Sequence, residues 1–113
     1  MSTTTSADPA ISRFLGFKFK EGTTDEQKAN AVKGLFKLYE DLARYVNQGP
    51  VGGKSLAQGP SRRFDYMFTV EFKNAAARDA FSASPEHEGG KTRLAPIVED
   101  VLAYDYVKEE YGF

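Results

Sequence analysis

The chain has no cysteine, no tryptophan and a single histidine in 113 residues. Without cysteine there is no disulfide framework, no thiol nucleophile and no thiolate-bound zinc or iron–sulfur cluster. One histidine leaves no pair of imidazoles to hold a metal, and no metal site is expected. Charge of one sign is also lacking. Fifteen Lys and Arg face sixteen Asp and Glu, a formal net charge of -1. A nucleic-acid partner is not expected, because nothing supplies the basic excess that displaces counterions from phosphates. Apolar runs are only a few residues long, far short of the roughly 20 needed to cross a bilayer. Residues 1–10, MSTTTSADPA, lack the apolar stretch of a signal peptide and read as a loose tail. The expectation is one small, soluble, cytoplasmic domain over residues 11–107, with a short charged tail at 108–113. No internal repeat is visible.

Aromatics, in contrast, are plentiful: nine Phe and six Tyr. In so short a chain those rings must fill a core, line a cavity or bury an interface. Residues 11–20, ISRFLGFKFK, alternate as a strand does. Ile11, Arg13, Leu15, Phe17 and Phe19 share one face, and Ser12, Phe14, Gly16 and Lys18 the other. Thr24 with Gln27, or Thr23 with Glu26, forms a capping box. Apolar residues from Ala29 to Val46 then recur at helical spacing, which predicts one long amphipathic helix ending before Gly49-Pro50. Residues 51–60 read as a glycine-rich loop with a weak edge strand around Lys54–Ala57. The segment 62–73, RRFDYMFTVEFK, is the clearest strand, with Phe64, Tyr66, Phe68, Val70 and Phe72 on one face. Asn74 caps a second helix that Pro85 stops, a short helical stretch lies around Lys91–Val98, and 101–107 form the last strand.

This order is that of a ferredoxin-like α+β domain, a four-stranded antiparallel sheet with two main helices. Two helices cover one sheet face. The other face carries Phe14 and Met67 and needs a partner, and a second copy of the chain would supply one.

Some segments are more distinctive. RFLGFKFKEGTTDEQ, FDYMFTVEFKN, FSASPEH and VEDVLAYDYV follow one another as in the stress-response dimeric α/β-barrel (Dabb) family, which the chain resembles over about residues 11 to 107. The resemblance implies a homodimer in which two sheets face each other as a barrel, and it implies no cofactor. The family includes heat-stable plant stress proteins and olivetolic acid cyclase, a cofactor-free enzyme that closes a polyketide ring. Carried over from that enzyme, His87 falls on the catalytic histidine, Phe81 on a catalytic tyrosine without keeping its hydroxyl, and Arg13 on a histidine of the first strand. Leu15, Phe17 and Phe68 fall on apolar pocket walls, Leu35 replaces a pocket tyrosine, and Tyr66 stands where a further histidine is common.

His87 is the one side chain whose ordinary pKa, ~6.5, suits proton exchange near neutrality. It is the candidate general base, with Glu86 or Glu88 as candidates to fix its tautomer. Tyr66 is a candidate hydrogen-bond donor to substrate. Arg13, on an otherwise apolar face, must reach an acid, an anionic ligand or water. GPVGGKS at 49–55 is not a phosphate loop: three residues, not four, separate Gly49 from Gly53, and the segment follows a helix. Two classes of function follow. One is a small-molecule site for a hydrophobic or aromatic ligand, including a cofactor-free cyclase built on His87. The other is a non-catalytic stress-protective dimer with a filled pocket.

Overall fold

The computed structural model describes residues 8–59 and 63–113. Most of the expected N-terminal tail, and Arg62, lie outside the described residues. Along the chain run β1 (Ile11–Phe19), α1 (Asp25–Asp41), β2 (Val46–Lys54), β3 (Tyr66–Phe72), α2 (Ala75–Ala83), α3 (Pro85–Leu94) and β4 (Val98–Tyr106). The strands form one antiparallel sheet in the order β2-β3-β1-β4. This is the ferredoxin-like α+β fold. Among the described residues, no helix is long and apolar enough to cross a membrane.

The period of two in β1 and β3 sets the layers. Paired residues share a face, so Leu15 meets Phe68 and Arg13 meets Val70 on the inner side. Leu15, Phe68 and Val70 pack with Leu35, Leu38, Tyr39, Leu42 and Phe81 from the helical layer into one apolar core. Burial of this kind is the dominant stabilising term, at about 25 cal/mol per Å². Leu42, Phe72 and Phe81 are fully buried. The opposite face carries Phe14 and Met67, as expected, together with Val51, Leu102, Tyr104 and Tyr106. Three of these, Val51, Tyr104 and Tyr106, stand more than half exposed, and no helix covers them.

Several expectations need correction. The Thr24–Gln27 capping box is present, with both reciprocal hydrogen bonds, but α1 ends at Asp41. Ala43–Tyr45 form a single 3-10 turn and Val46 already pairs with Phe72. The apolar residues at the end of the helical pattern are therefore used by the sheet, and pairing with β3 overrides local periodicity. The weak edge strand lies at Val46–Lys54, not Lys54–Ala57. Two of its glycines, Gly49 and Gly52, reflect close approach: a Cβ at Gly52 would collide with the Met67 carbonyl oxygen.

Phe64 leaves the stripe that continues through Phe72. The Asp65 N–H donates to the Phe17 carbonyl at 2.7 Å, and the Asp65 carboxylate accepts from the Phe19 N–H at 2.7 Å. The chain turns there before β3 begins, and the Phe64 ring comes to within 3.2 Å of where a Gly16 Cβ would stand, on the open face.

The third helix runs over Pro85–Leu94 instead of Lys91–Val98. Pro85 does not merely stop α2; it takes the first position of α3, where its missing N–H costs nothing. Ser84 joins the two helices. Its hydroxyl donates to the Phe81 carbonyl at 2.7 Å and accepts from the His87 N–H at 3.1 Å. β4 starts early, at Val98, because Val98 pairs with Phe19 across a bulge.

Candidate functional site

The Ser84 cap places His87 in the first turn of α3 with its ring turned inward, 5.4 Å from the Phe81 ring. Beside it opens a cavity of about 790 Å³ bounded by β1 and β4 on the sheet side and by α1 and α3 on the helical side. Five residues expected at a site line it: Arg13, Leu15, Phe17, Leu35 and His87. The other three do not. Tyr66 and Phe68 stack on each other, 6.4 Å apart, and border a separate hollow of about 10 Å³ that Phe17 and Leu35 also touch. Phe81 sits behind the cavity in the core, fully buried. Phe14 and Met67 lie on the far side of the sheet.

The inner end of the cavity is polar. His87 lines it, but the His87 Nδ1 atom is out of contact with accessible space and has no hydrogen-bond partner of good geometry. Glu88, one of the two candidates to orient the ring, pairs with Lys91 at 2.9 Å instead. Burial pushes the His87 pKa below its ordinary value; Lys91 and Arg13 push in the same direction, and the Ser82 backbone and Glu88 oppose them. At neutral pH the ring is an uncharged base.

Arg13 finds an acid. Its Nε and Nη2 donate to the two Asp105 carboxylate oxygens at 2.7 and 2.9 Å, a bidentate pair. The guanidinium lies 4.9 Å from the Phe72 ring centre. Arg78 adds a longer contact to the same carboxylate, 3.4 Å. The hydrogen bonds from Arg13 hold the Asp105 carboxyl below its usual range.

Tyr39, from α1, also lines the cavity and had no place in the sequence-based site. It stacks on Phe81 with 4.6 Å between ring centres. Burial pushes its hydroxyl pKa up, against the neighbouring Arg13 charge, so it remains a protonated donor. Its position in the helical pattern offered only a core reading. Asp105 was equally hidden, since its pairing with Arg13 spans 92 residues.

The cavity thus joins mostly apolar walls to one imidazole, one hydroxyl donor and one anchored guanidinium. Such a set can hydrogen-bond an oxygen of a ligand and take a proton near it. Among the described residues, no three His, Asp or Glu side chains gather as a metal ion would require.

Comparison with solved structures gives the same fold at low identity. A dimeric ferredoxin-like protein of unknown function from Thermobifida fusca is 18% identical, with a TM-score of 0.74 over 89% of this chain and 92% of its own. A protein from Arabidopsis thaliana is 20% identical, with a TM-score of 0.78 over 91% of this chain and 99% of its own. The hydroxynitrile lyase from Passiflora edulis is 16% identical, with a TM-score of 0.77 over 90% of this chain and 95% of its own. No curated protein sequence matches. The model of the stress responsive A/B barrel domain matches residues 11–108, nearly the whole β1–β4 unit, and the chain belongs to that family.

Proposed function

We propose that the protein is a homodimer joined through the open sheet face, and that the cavity of each protomer binds a hydrophobic or aromatic small molecule. The observation that carries the binding reading is the cavity itself: about 790 Å³ of space with mostly apolar walls and with Arg13, Tyr39 and His87 among its lining residues. A volume of this size is typical of ligand pockets. The same opening weighs against the alternative of a stress-protective protein whose pocket is filled by its own aromatics. For the dimer, the support is the uncovered face with Phe14, Met67, Tyr104 and Tyr106, together with the dimeric Thermobifida neighbour.

A second reading has its own observation. His87 is held neutral and faces the cavity with Tyr39 and Arg13. That set suits cofactor-free proton abstraction, with His87 as general base and Tyr39 and Arg13 steadying the oxygen that gains charge. Here Tyr39 takes the role expected of Tyr66. A cyclisation and the lyase chemistry named for the Passiflora neighbour both fall within this reading.

Native mass spectrometry of the protein purified from its own source, repeated under denaturing conditions, tests both parts. The expected result is the mass of two chains plus a small molecule released on denaturation, with the molecule lost in His87→Ala. A bare dimer that binds no hydrophobic compound overturns the pocket reading. Phe14→Glu or Met67→Glu is expected to sediment as a monomer, because an unpaired charge would be buried between the sheets; a variant that stays dimeric overturns the assignment of that face.

A further inference from the structure

Gly34 on α1 and Gly90 on α3 both line the cavity, and neither needs to be glycine for the sake of the fold. Glycine is the poorest helix former after proline, so each weakens its helix. Elsewhere in the chain the reason for a glycine is visible: Gly49 has a φ of 93°, and Gly52 lies against the Met67 carbonyl. Gly34 and Gly90 have ordinary helical backbone. A Cβ built at Gly34 would meet nothing within 4 Å, and one at Gly90 would touch Leu38 Cδ2 and Arg93 Nη2 at an ordinary 3.7 Å. Alanine would fit at both positions. What the glycines leave is space, on both helical walls of the cavity. His87, which also lines the cavity, stands a single turn before Gly90 on α3.

We infer that Gly34 and Gly90 set the width of the cavity, and that its occupant carries a ring lying between α1 and α3 with an oxygen substituent directed at His87. A single alkyl chain is thin and passes beside a methyl group without loss. Only a broad group makes two helix-weakening glycines useful. This rests on the pocket reading and adds the shape of the ligand to it.

The probes are 2-naphthol and 1-octanol, two apolar alcohols that differ in breadth, titrated into the full chain by calorimetry. Wild type is expected to bind 2-naphthol. Gly34→Leu, whose side chain would enter the open space, should weaken 2-naphthol by about tenfold or more and 1-octanol by less than about threefold. Gly34→Ala and Gly90→Ala should melt at or above the wild-type temperature, and together should weaken 2-naphthol selectively. These alanine variants decide the matter if Gly34→Leu does not fold. Undiminished 2-naphthol binding in the variants, equal loss of both probes, or a lowered melting point in the alanine variants overturns the inference while leaving the pocket reading intact. Failure of wild type to bind either probe overturns the pocket reading, and the inference with it.

Discussion

The inner face of the sheet has two unlike halves under one helical layer. On the β3 side Phe68, Val70 and Phe72 are 2%, 3% and 0% exposed, sealed by Leu42 and Phe81. On the β4 side Val101 is half exposed, and it and Ala103 border the cavity. A chain able to close-pack one half with large rings leaves the other half hollow through small residues at Ala31, Gly34, Gly90 and Ala103. Native interiors pack about as densely as organic crystals, so a void of this size marks a place for something else. One side is packed for stability, and the other is the side that the proposed reading assigns to a ligand.

Truncations should separate the halves most sharply. Phe81→Ala, at 0% exposure among the Tyr39, Phe72 and His87 rings, is expected to cost about 3–5 kcal/mol in urea unfolding. Val101→Ala, already half exposed, should cost less than about 1 kcal/mol. Similar costs at the two positions would mean that the β4 half is as tightly packed as the β3 half.

The Arg13–Asp105 pair stands at the boundary between them. Asp105→Ala strands a guanidinium whose side chain is only 11% exposed. The expected cost is about 2–3 kcal/mol, below that of a fully buried pair because the carboxylate keeps 21% exposure. Acid should act similarly. The folded-state pKa of Asp105 lies below its ordinary 3.8, so its contribution is complete above that value and is lost as pH falls through the lower folded value. Wild type should therefore lose stability in that acid range by more than Asp105→Asn does, as read by thermal melts across pH.

How much of this was legible in the sequence follows from the range of the interactions involved. The alternation of β1 and β3, the Thr24–Gln27 box and the Asn74 cap are local signals, and the structure contains all of them. Val46 was misassigned because its fate depends on Phe72, far along the chain. α3 was misplaced because Pro85 resembles a stop and Gly89-Gly90 lower its propensity. For the site, the family resemblance brought five residues to the cavity. It put Tyr66 and Phe68 there as well, although β3 carries them one strand too far from β4. Tyr39 was missed because, in a helical repeat, a cavity-facing ring and a core ring occupy the same positions.

The smallest expected effect tests the inner end of the hollow half. The His87 ring is held below its ordinary pKa of 6.5, first by burial and then by Lys91 and Arg13, while Glu88 and the Ser82 backbone favour the proton. A depressed imidazole pKa means that the unfolded chain binds the proton more readily than the folded one. The His87 contribution is then complete above 6.5 and is lost as pH falls from there through the folded value. Wild type should melt lower at about pH 5.5 than at about pH 7.5, and His87→Asn should flatten part of that difference. A ligand that donates a hydrogen bond to an unprotonated nitrogen of the ring favours the neutral ring further. Saturation with 2-naphthol should accordingly steepen the acid loss in wild type and leave it unchanged in His87→Asn. If the ligand has no such effect on the wild-type profile, it does not reach the ring, and His87 belongs to the packed half of the molecule instead of the hollow one.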